Sequence, residues 1–83
     1  MDSHPLNVSI ISPQGVLFEG QAQRVILPGE SGVFEVLINH KPLLSRLLPG
    51  ELIVDNQTIP ILRGVTKIAQ NHVLAIVETR QHG

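Results

Sequence analysis

Residues 32–44 have the sequence GVFEVLINHKPLL, and this stretch indicates the fold more clearly than any other part of the chain. Phe34, Val36 and Ile38 lie on one face of an extended segment and the intervening residues on the other, which is the period of two typical of a half-buried strand. The polar residues NHKP at 39–42 follow at once, and proline is a residue that marks corners. The stretch therefore predicts a strand that leads into a polar corner.

The composition extends this prediction to the whole chain. Its 83 residues suffice for one domain, and a domain of this size buries only a little over ~60% of its unfolded surface. Hydrophobic residues make up 42% of the chain, but Phe18 and Phe34 are its only aromatic residues. The core must therefore consist of Val, Ile and Leu, of which the β-branched members favour strands.

Charge and cysteine content exclude several classes of protein. The six basic and seven acidic residues nearly cancel and form no basic stripe, so the electrostatic signature of a nucleic-acid-binding protein is missing. Without cysteine, the chain has neither a disulfide framework nor a zinc knuckle. No apolar run approaches the ~20 residues of a membrane-spanning helix, and residues 1–5 lack the pattern of a signal peptide. We expect a soluble, unprocessed chain in a reducing compartment that contacts a protein or a ligand.

Turn signals divide the chain into short strands, and no helix longer than two turns is predicted. The predicted strands are 6–10, 16–20, 21–27, 32–38, 51–54, 58–62, 65–69 and 73–77, with 43–48 as a further strand or an irregular turn. The turns fall at 12–15, 28–29, 55–57 and 63–64. This pattern predicts an all-β fold, a small two-sheet β-sandwich or flattened barrel of about eight to ten short strands, in a single domain over 1–83.

The segment 73–77, VLAIV, departs from the alternating pattern because it is apolar at every position. A strand of this kind has both of its faces covered. We expect this strand to lie inside the two-layer sandwich or to be covered on one side by a partner chain.

Residues capable of chemistry do not form a recognisable catalytic or metal-binding pattern. The four histidines are too far apart in sequence to indicate a metal site. Ser31 lies in GESGV at 29–33, but Val33 stands where a nucleophile elbow has its second glycine, so we interpret Ser31 as a turn residue. No phosphate-binding glycine loop is present, and no cofactor is predicted.

His40 is the titratable residue most open to a functional interpretation, because it lies in the polar corner between two apolar runs. It is either a hydrogen-bonded residue that fixes the corner or a contact to a partner. Its use as a catalyst is not supported by a neighbouring nucleophile in the sequence.

Five segments in the same order and spacing resemble a known family, the N-terminal β-sandwich domain of the epsilon subunit of F-type ATP synthases. The resemblance covers nearly the whole chain, from Leu6 to Thr79. The matching segments are SPQGVLFEG at 12–20, LPGESGVFEVL at 27–37, HKPLL at 40–44, LPGEL at 48–52 and NHVLAIVET at 71–79.

The resemblance implies a non-catalytic subunit of the central stalk, peripheral to the cytoplasmic face of a bacterial membrane, that couples ion translocation to ATP synthesis. It implies two sets of contact residues. The implied contacts to the c-ring are Glu30, Ser31, Gly32, Val33 and His40, and those to the gamma subunit are Ser12, Pro42, Leu43 and Leu44. The catalytic hexamer of alpha and beta subunits belongs to the same complex.

The chain departs from the family pattern at three places. Ile38 and Asn39 stand where the family usually has Pro-Gly, although asparagine tolerates the left-handed conformation of such a glycine. Arg63-Gly64-Val65 replaces Gly-Gly-Phe. The C-terminal helical hairpin of many relatives does not follow before Gly83, which either a short epsilon subunit or a truncated chain would explain.

Two other functions fit a small sandwich less well. A carbohydrate- or ligand-binding module is the alternative, but such modules usually expose aromatic platforms, and the chain has no Trp or Tyr. A small hydrolase would need a nucleophile and a base in one pocket, and Ser31 is a poor candidate for the nucleophile.

Overall fold

The computed structural model describes residues 5–80, and these form nine β-strands without a helix. The strands are β1 (Leu6–Ser12), β2 (Gly15–Ala22), β3 (Val25–Gly29), β4 (Gly32–Val36), β5 (Leu43–Leu47), β6 (Gly50–Val54), β7 (Gln57–Ile61), β8 (Arg63–Ala69) and β9 (His72–Glu78). Within this part of the chain, nothing helical is available to cross a membrane. The all-β prediction is confirmed.

The nine strands form one sheet that folds over into two layers. Its order is β2-β1-β9-β8-β5-β3-β6-β7, with β4 paired to β3. The layers meet at β3, whose Gly29 pairs with Leu47 of β5, while its Val25 pairs with Val54 of β6. The chain changes layers between β5 and β6, as strands do at the corners of packed sheets. The result is the predicted β-sandwich in the form of a curled sheet.

The space between the layers contains one aliphatic core. Alternate residues of the strands point inward, and both layers contribute to a single cluster. Its buried members are Leu6, Val8, Ile10, Ala22, Val25, Leu27, Val36, Leu47, Leu52, Val54, Ile59, Ile61, Ile68, Val73, Ala75 and Val77. Burial of each Val, Leu or Ile side chain stabilises the fold by about 1.5–3 kcal/mol relative to exposure. The core therefore consists of aliphatic residues, as the composition predicts.

The first and last strands pair in parallel, which joins the two ends of the described chain. Val8 lies opposite Val73 and Ile10 opposite Ala75, while β2 pairs antiparallel with the other edge of β1. A parallel pair requires a long connection, and here the connection is most of the domain. Loss of β9 would leave β1 paired only with β2 and β8 paired only with β5.

The strand of the opening stretch is shorter than the predicted 32–38. It ends at Val36, because the next residues turn and the His40 N–H donates a hydrogen bond to the Leu37 carbonyl over 3.2 Å. Leu37 and Ile38 are exposed at this turn. The shared face predicted for Phe34, Val36 and Ile38 is found for Phe34 and Val36, which lie on the core side of β4, but Ile38 lies beyond the strand.

The predicted turn at Pro28 and Gly29 is wrong, because β3 continues through both residues. Proline lacks only the donor of a ladder pair, and its carbonyl still accepts a hydrogen bond from the Leu48 N–H at 2.8 Å. The predicted third strand at 21–27 also begins too early, because residues 21–22 belong to β2. The turn predicted at 63–64 is wrong, because these two residues begin β8. The uncertain segment 43–48 is a strand, β5.

Within the described chain, only one face of strand β9 is covered. Val73, Ala75 and Val77 are buried in the core, whereas Leu74 and Ile76 point outward and are 38% and 46% exposed. Of the two alternatives for this apolar strand, burial of both faces within the sandwich is therefore wrong. Its second face is open.

Candidate interaction surfaces

All five residues expected to contact the c-ring lie together at one end of the sandwich. We call Glu30, Ser31, Gly32, Val33 and His40 the tip surface. Glu30 and Ser31 form the turn of the β3–β4 hairpin, and Gly32 and Val33 begin β4. These four residues and His40 line a shallow depression of about 340 Å³ together with the start of β5. Residues that are seven or more positions apart in sequence are thus brought to one place.

Phe34 connects the two parts of the tip surface. Its ring lies over Gly29, where an added Cβ would be 2.7 Å from a ring carbon, so only glycine permits this packing. The same ring lies 6.5 Å from the His40 imidazole, centre to centre, at an interplanar angle of 41°. The hairpin turn and the polar corner therefore pack as one unit.

His40 is half-buried and is fixed by its own backbone neighbourhood. Its Nδ1–H donates a hydrogen bond to the Lys41 carbonyl over 2.6 Å. In the neutral imidazole this bond places the proton on Nδ1 and leaves Nε2 as an acceptor. The geometry agrees with a corner residue that fixes the backbone, and it also leaves one ring nitrogen able to contact a partner.

Asn39 takes the left-handed conformation that the polar corner requires. Its φ is 66°, as expected for the residue that replaces the family's glycine. Its N–H donates a hydrogen bond to Asn71 Oδ1 over 2.6 Å, and Asn71 Nδ2–H returns one to Asn39 Oδ1 over 3.5 Å. Asn71 lies in the β8–β9 turn, so two turns that are distant in sequence are joined beside the tip surface.

The expected gamma contacts occupy two places on the sheet. Pro42, Leu43 and Leu44 lie at the start of β5, where Leu44 is 77% exposed. Ser12 lies at the end of β1, where its Oγ accepts a hydrogen bond from the Gln14 N–H over 3.2 Å. Strands β8 and β9 separate β5 from β1, so the four residues do not form one cluster by themselves.

An apolar surface lies between these two places, on the side of β5, β8, β9, β1 and β2 that faces away from the core. We call it the outer face. It consists of Leu44, Val65, Lys67, Leu74, Ile76, Ile11 and Val16. Val65, Ile76, Ile11 and Val16 lie opposite one another in successive strands and form one row across the sheet.

Sequence reasoning missed most of the outer face. Val65 and Val16 are 44% and 61% exposed, but in the sequence they are ordinary apolar residues of predicted strands. The signal that could have located the surface is the uninterrupted apolar run at 73–77, because a strand of this kind is expected to have both of its faces covered. The strands paired with that run could not be identified without the sheet order.

Two ion pairs lie at the edge of the outer face. Arg46 Nε lies 3.2 Å from Glu30 Oε2, and Arg63 Nε lies 2.7 Å from Glu78 Oε1. The hydrogen bond to Glu78, together with the charge of that carboxylate, raises the pKa of the Arg63 guanidinium above its usual value. Because all four side chains are exposed, these pairs contribute little to stability and leave the edge electrically neutral.

The described residues offer no catalytic or metal-binding arrangement. Residues 5–80 contain no group of three or more His, Cys, Asp or Glu side chains suited to a metal ion. Ser31 is exposed in a turn, and no hydrogen bond joins it to His40. The buried Thr66 hydroxyl donates to the Leu74 carbonyl over 3.0 Å and is thus satisfied. Fold and surface together define a small all-β interaction module.

Comparison with known proteins identifies the family of this module. The family model of the ATP synthase delta/epsilon chain, beta-sandwich domain, matches residues 5–83, and the chain belongs to this family. The ATP synthase epsilon chain of Nitratiruptor is 36% identical over 78 residues, which are 88% of this chain and 60% of that one. The epsilon chain of Rickettsia typhi is 36% identical over 80 residues, 88% of this chain and 73% of that one.

Solved structures agree with the fold. A chain in the cryo-EM structure of the Euglena gracilis mitochondrial ATP synthase, comprising OSCP, F1 and c-ring, superimposes with a TM-score of 0.80 at 15% identity over 88% of this chain and 50% of that one. A chain in the Tetrahymena thermophila mitochondrial ATP synthase central stalk and c-ring gives 0.76 at 16% identity, over 94% and 66%. At these identities the likeness concerns the fold alone.

Proposed function

We propose that this chain is a non-catalytic central-stalk subunit of an F-type ATP synthase, which docks on the gamma subunit and on the c-ring and couples ion translocation to ATP synthesis. The observation that supports it most is the exposed apolar outer face on a domain of the delta/epsilon family. A sheet face with several outward aliphatic side chains favours a protein partner over water. The named relatives are epsilon chains of ATP synthases.

Two separate surfaces suit a subunit with two partners. The tip surface combines the exposed Glu30 and Ser31 of a hairpin turn with His40 of the polar corner, which suits contact with the polar loops of a c-ring through Glu30–Val33 and His40. The gamma subunit would meet Ser12, Pro42, Leu43 and Leu44. In this arrangement the complex holds the chain at the cytoplasmic face of a bacterial membrane. The aliphatic core between the surfaces would transmit torque without chemistry.

Gel filtration tests this function directly. The purified chain is mixed at micromolar concentration with the gamma subunit and the catalytic hexamer of the same ATP synthase, and we expect one co-eluting peak. The matched control is the hexamer without gamma, with which the chain should not co-elute. Two separate peaks in the presence of gamma would contradict the proposal.

A further inference from the structure

We infer that Asn71, which lies in the β8–β9 turn, is a positioning residue that holds the polar corner so that His40 can contact the c-ring. This inference rests on the proposed function. It adds a residue that belongs to neither set of expected contacts, and it makes the side chain of that residue act on ion pumping through the position of His40.

The polar corner has few internal contacts that could hold it in place. Residues 37–42 belong to no strand. Leu37 and Ile38, at the start of this segment, are 49% and 37% exposed, so burial of their side chains contributes little. The hydrogen bonds of His40, to the Leu37 and Lys41 carbonyls, stay within the segment. The corner therefore depends on contacts with other parts of the chain.

Asn71 supplies such a contact. Its Oδ1 accepts a hydrogen bond from the Asn39 N–H over 2.6 Å, and its Nδ2–H donates to Asn39 Oδ1 over 3.5 Å. Within residues 5–80, these are the hydrogen bonds that connect residues 37–42 to another element. Because Asn39 directly precedes His40, the shorter bond fixes the backbone next to the imidazole.

Asn71 is itself anchored by paired strands. Its carbonyl accepts a hydrogen bond from the Asn7 N–H of β1 over 2.9 Å, and Ala69 lies opposite His72 where β8 and β9 meet at the turn. Its φ of 61° is left-handed, a conformation that asparagine adopts more readily than most residues. The Asn71 side chain thus connects a segment without strand pairing to three paired strands.

A contact residue needs this kind of support. Binding residues are most effective when hydrogen bonds from neighbouring residues hold them in the bound geometry, because ordering a loose segment on contact reduces the affinity. The Phe34 ring lies 6.5 Å from the His40 imidazole, centre to centre, and Asn71 holds the backbone that precedes it. Together they fix His40 before the c-ring is met.

Substitutions in the β8–β9 turn test this role. The ATP synthase of the same organism is depleted of this chain and is reconstituted in vesicles with a saturating amount of the unmodified chain or a variant. We expect Asn71→Gly, which fits a φ of 61° without strain, to lower ATP-driven ion pumping at least about twofold, the smallest change expected when one net hydrogen bond is lost. Asn71→Asp keeps an acceptor for the Asn39 N–H and should retain most of the pumping.

Gln70→Gly is the matched control, because it makes the same replacement at the neighbouring position, whose φ is 51°. It should pump like the unmodified chain. In proton NMR spectra of the chain, the nuclear Overhauser contact between the Phe34 and His40 rings should weaken in Asn71→Gly and persist in Asn71→Asp and Gln70→Gly. Thermal unfolding verifies that each variant is folded.

The remaining outcomes overturn the inference in different ways. Normal pumping by Asn71→Gly would mean that the hydrogen bond is not needed, and it would leave docking on the c-ring intact. Equal losses in Asn71→Asp or Gln70→Gly would mean that the turn matters and the acceptor does not. An unchanged ring contact in an Asn71→Gly variant that pumps poorly would mean that Asn71 does not act through His40. If the unmodified chain restores no pumping, the proposed function fails, and this inference fails with it.

Discussion

Asn39 and Asn71 show what one residue can and cannot reveal in a sequence. The left-handed φ of Asn39 could be predicted, because asparagine tolerates that conformation locally. Its hydrogen bond to Asn71 could not, because the two residues are 32 positions apart and meet only when β8 and β9 have formed their turn. The residue type indicates the local backbone conformation, whereas the hydrogen-bond partner depends on how the strands are arranged in the sheet.

His40 either fixes the polar corner or contacts a partner, and one substitution distinguishes the two roles. We expect His40→Ala to reduce ATP-driven ion pumping by a larger fraction than it reduces stability. The side chain makes one local hydrogen bond, to the adjacent Lys41 carbonyl, and a tilted ring contact with Phe34, so its loss should cost about 1–2 kcal/mol. The corner would remain fixed by the Asn39–Asn71 hydrogen bonds.

Ion pumping and thermal unfolding are measured on the same preparations for this comparison. Lys41→Ala is the matched control, because it alters the same corner without removing the imidazole or its backbone acceptor. A His40→Ala variant that loses stability but pumps normally would make His40 a corner residue only.

Among the elements, strand centres were easier to predict than strand ends. Apolar patterns bounded by turn signals located all nine strands, including β5 as one of two alternatives. The ends were missed at Pro28 and Gly29 because their local turn preference yields to pairing with neighbouring strands. The parallel pairing of β1 with β9 is also a tertiary feature, and no local sequence pattern predicts it.

Gly64 illustrates how a predicted turn residue belongs instead to a tightly paired strand. An added Cβ at this position would be 2.5 Å from the Ile76 carbonyl oxygen and 2.8 Å from a Val77 methyl group. We expect Gly64→Ala to destabilise the fold by about 1–3 kcal/mol, because the backbone of β9 must move. Urea denaturation measures the change.

Val65→Ala is the control for this prediction, because Val65 neighbours Gly64 in β8 but points outward. It should change the free energy of unfolding much less. Equal effects of the two substitutions would contradict the close packing of β8 against β9.

At the scale of the whole molecule, the sequence predicted the class of fold and the aliphatic core, since both follow from composition and period. The candidate surfaces were predicted in part. The tip surface unites residues of one hairpin and one corner that the resemblance implied. The outer face depends on the order of five strands, so Val65, Lys67 and Ile76 could not be assigned to one surface beforehand.

The orientation of the molecule between two partners is the central claim, and the absence of cysteine from the chain permits a direct test. Single cysteines are placed at Ser31 on the tip surface, at Leu44 on the outer face and at Thr58 on the opposite layer, and each is labelled with a photoactivated cross-linker. The three positions are exposed. In the assembled ATP synthase, we expect Ser31→Cys to cross-link to a c subunit, Leu44→Cys to gamma, and Thr58→Cys to neither. Cross-linking of gamma by Thr58→Cys and not by Leu44→Cys would contradict the account.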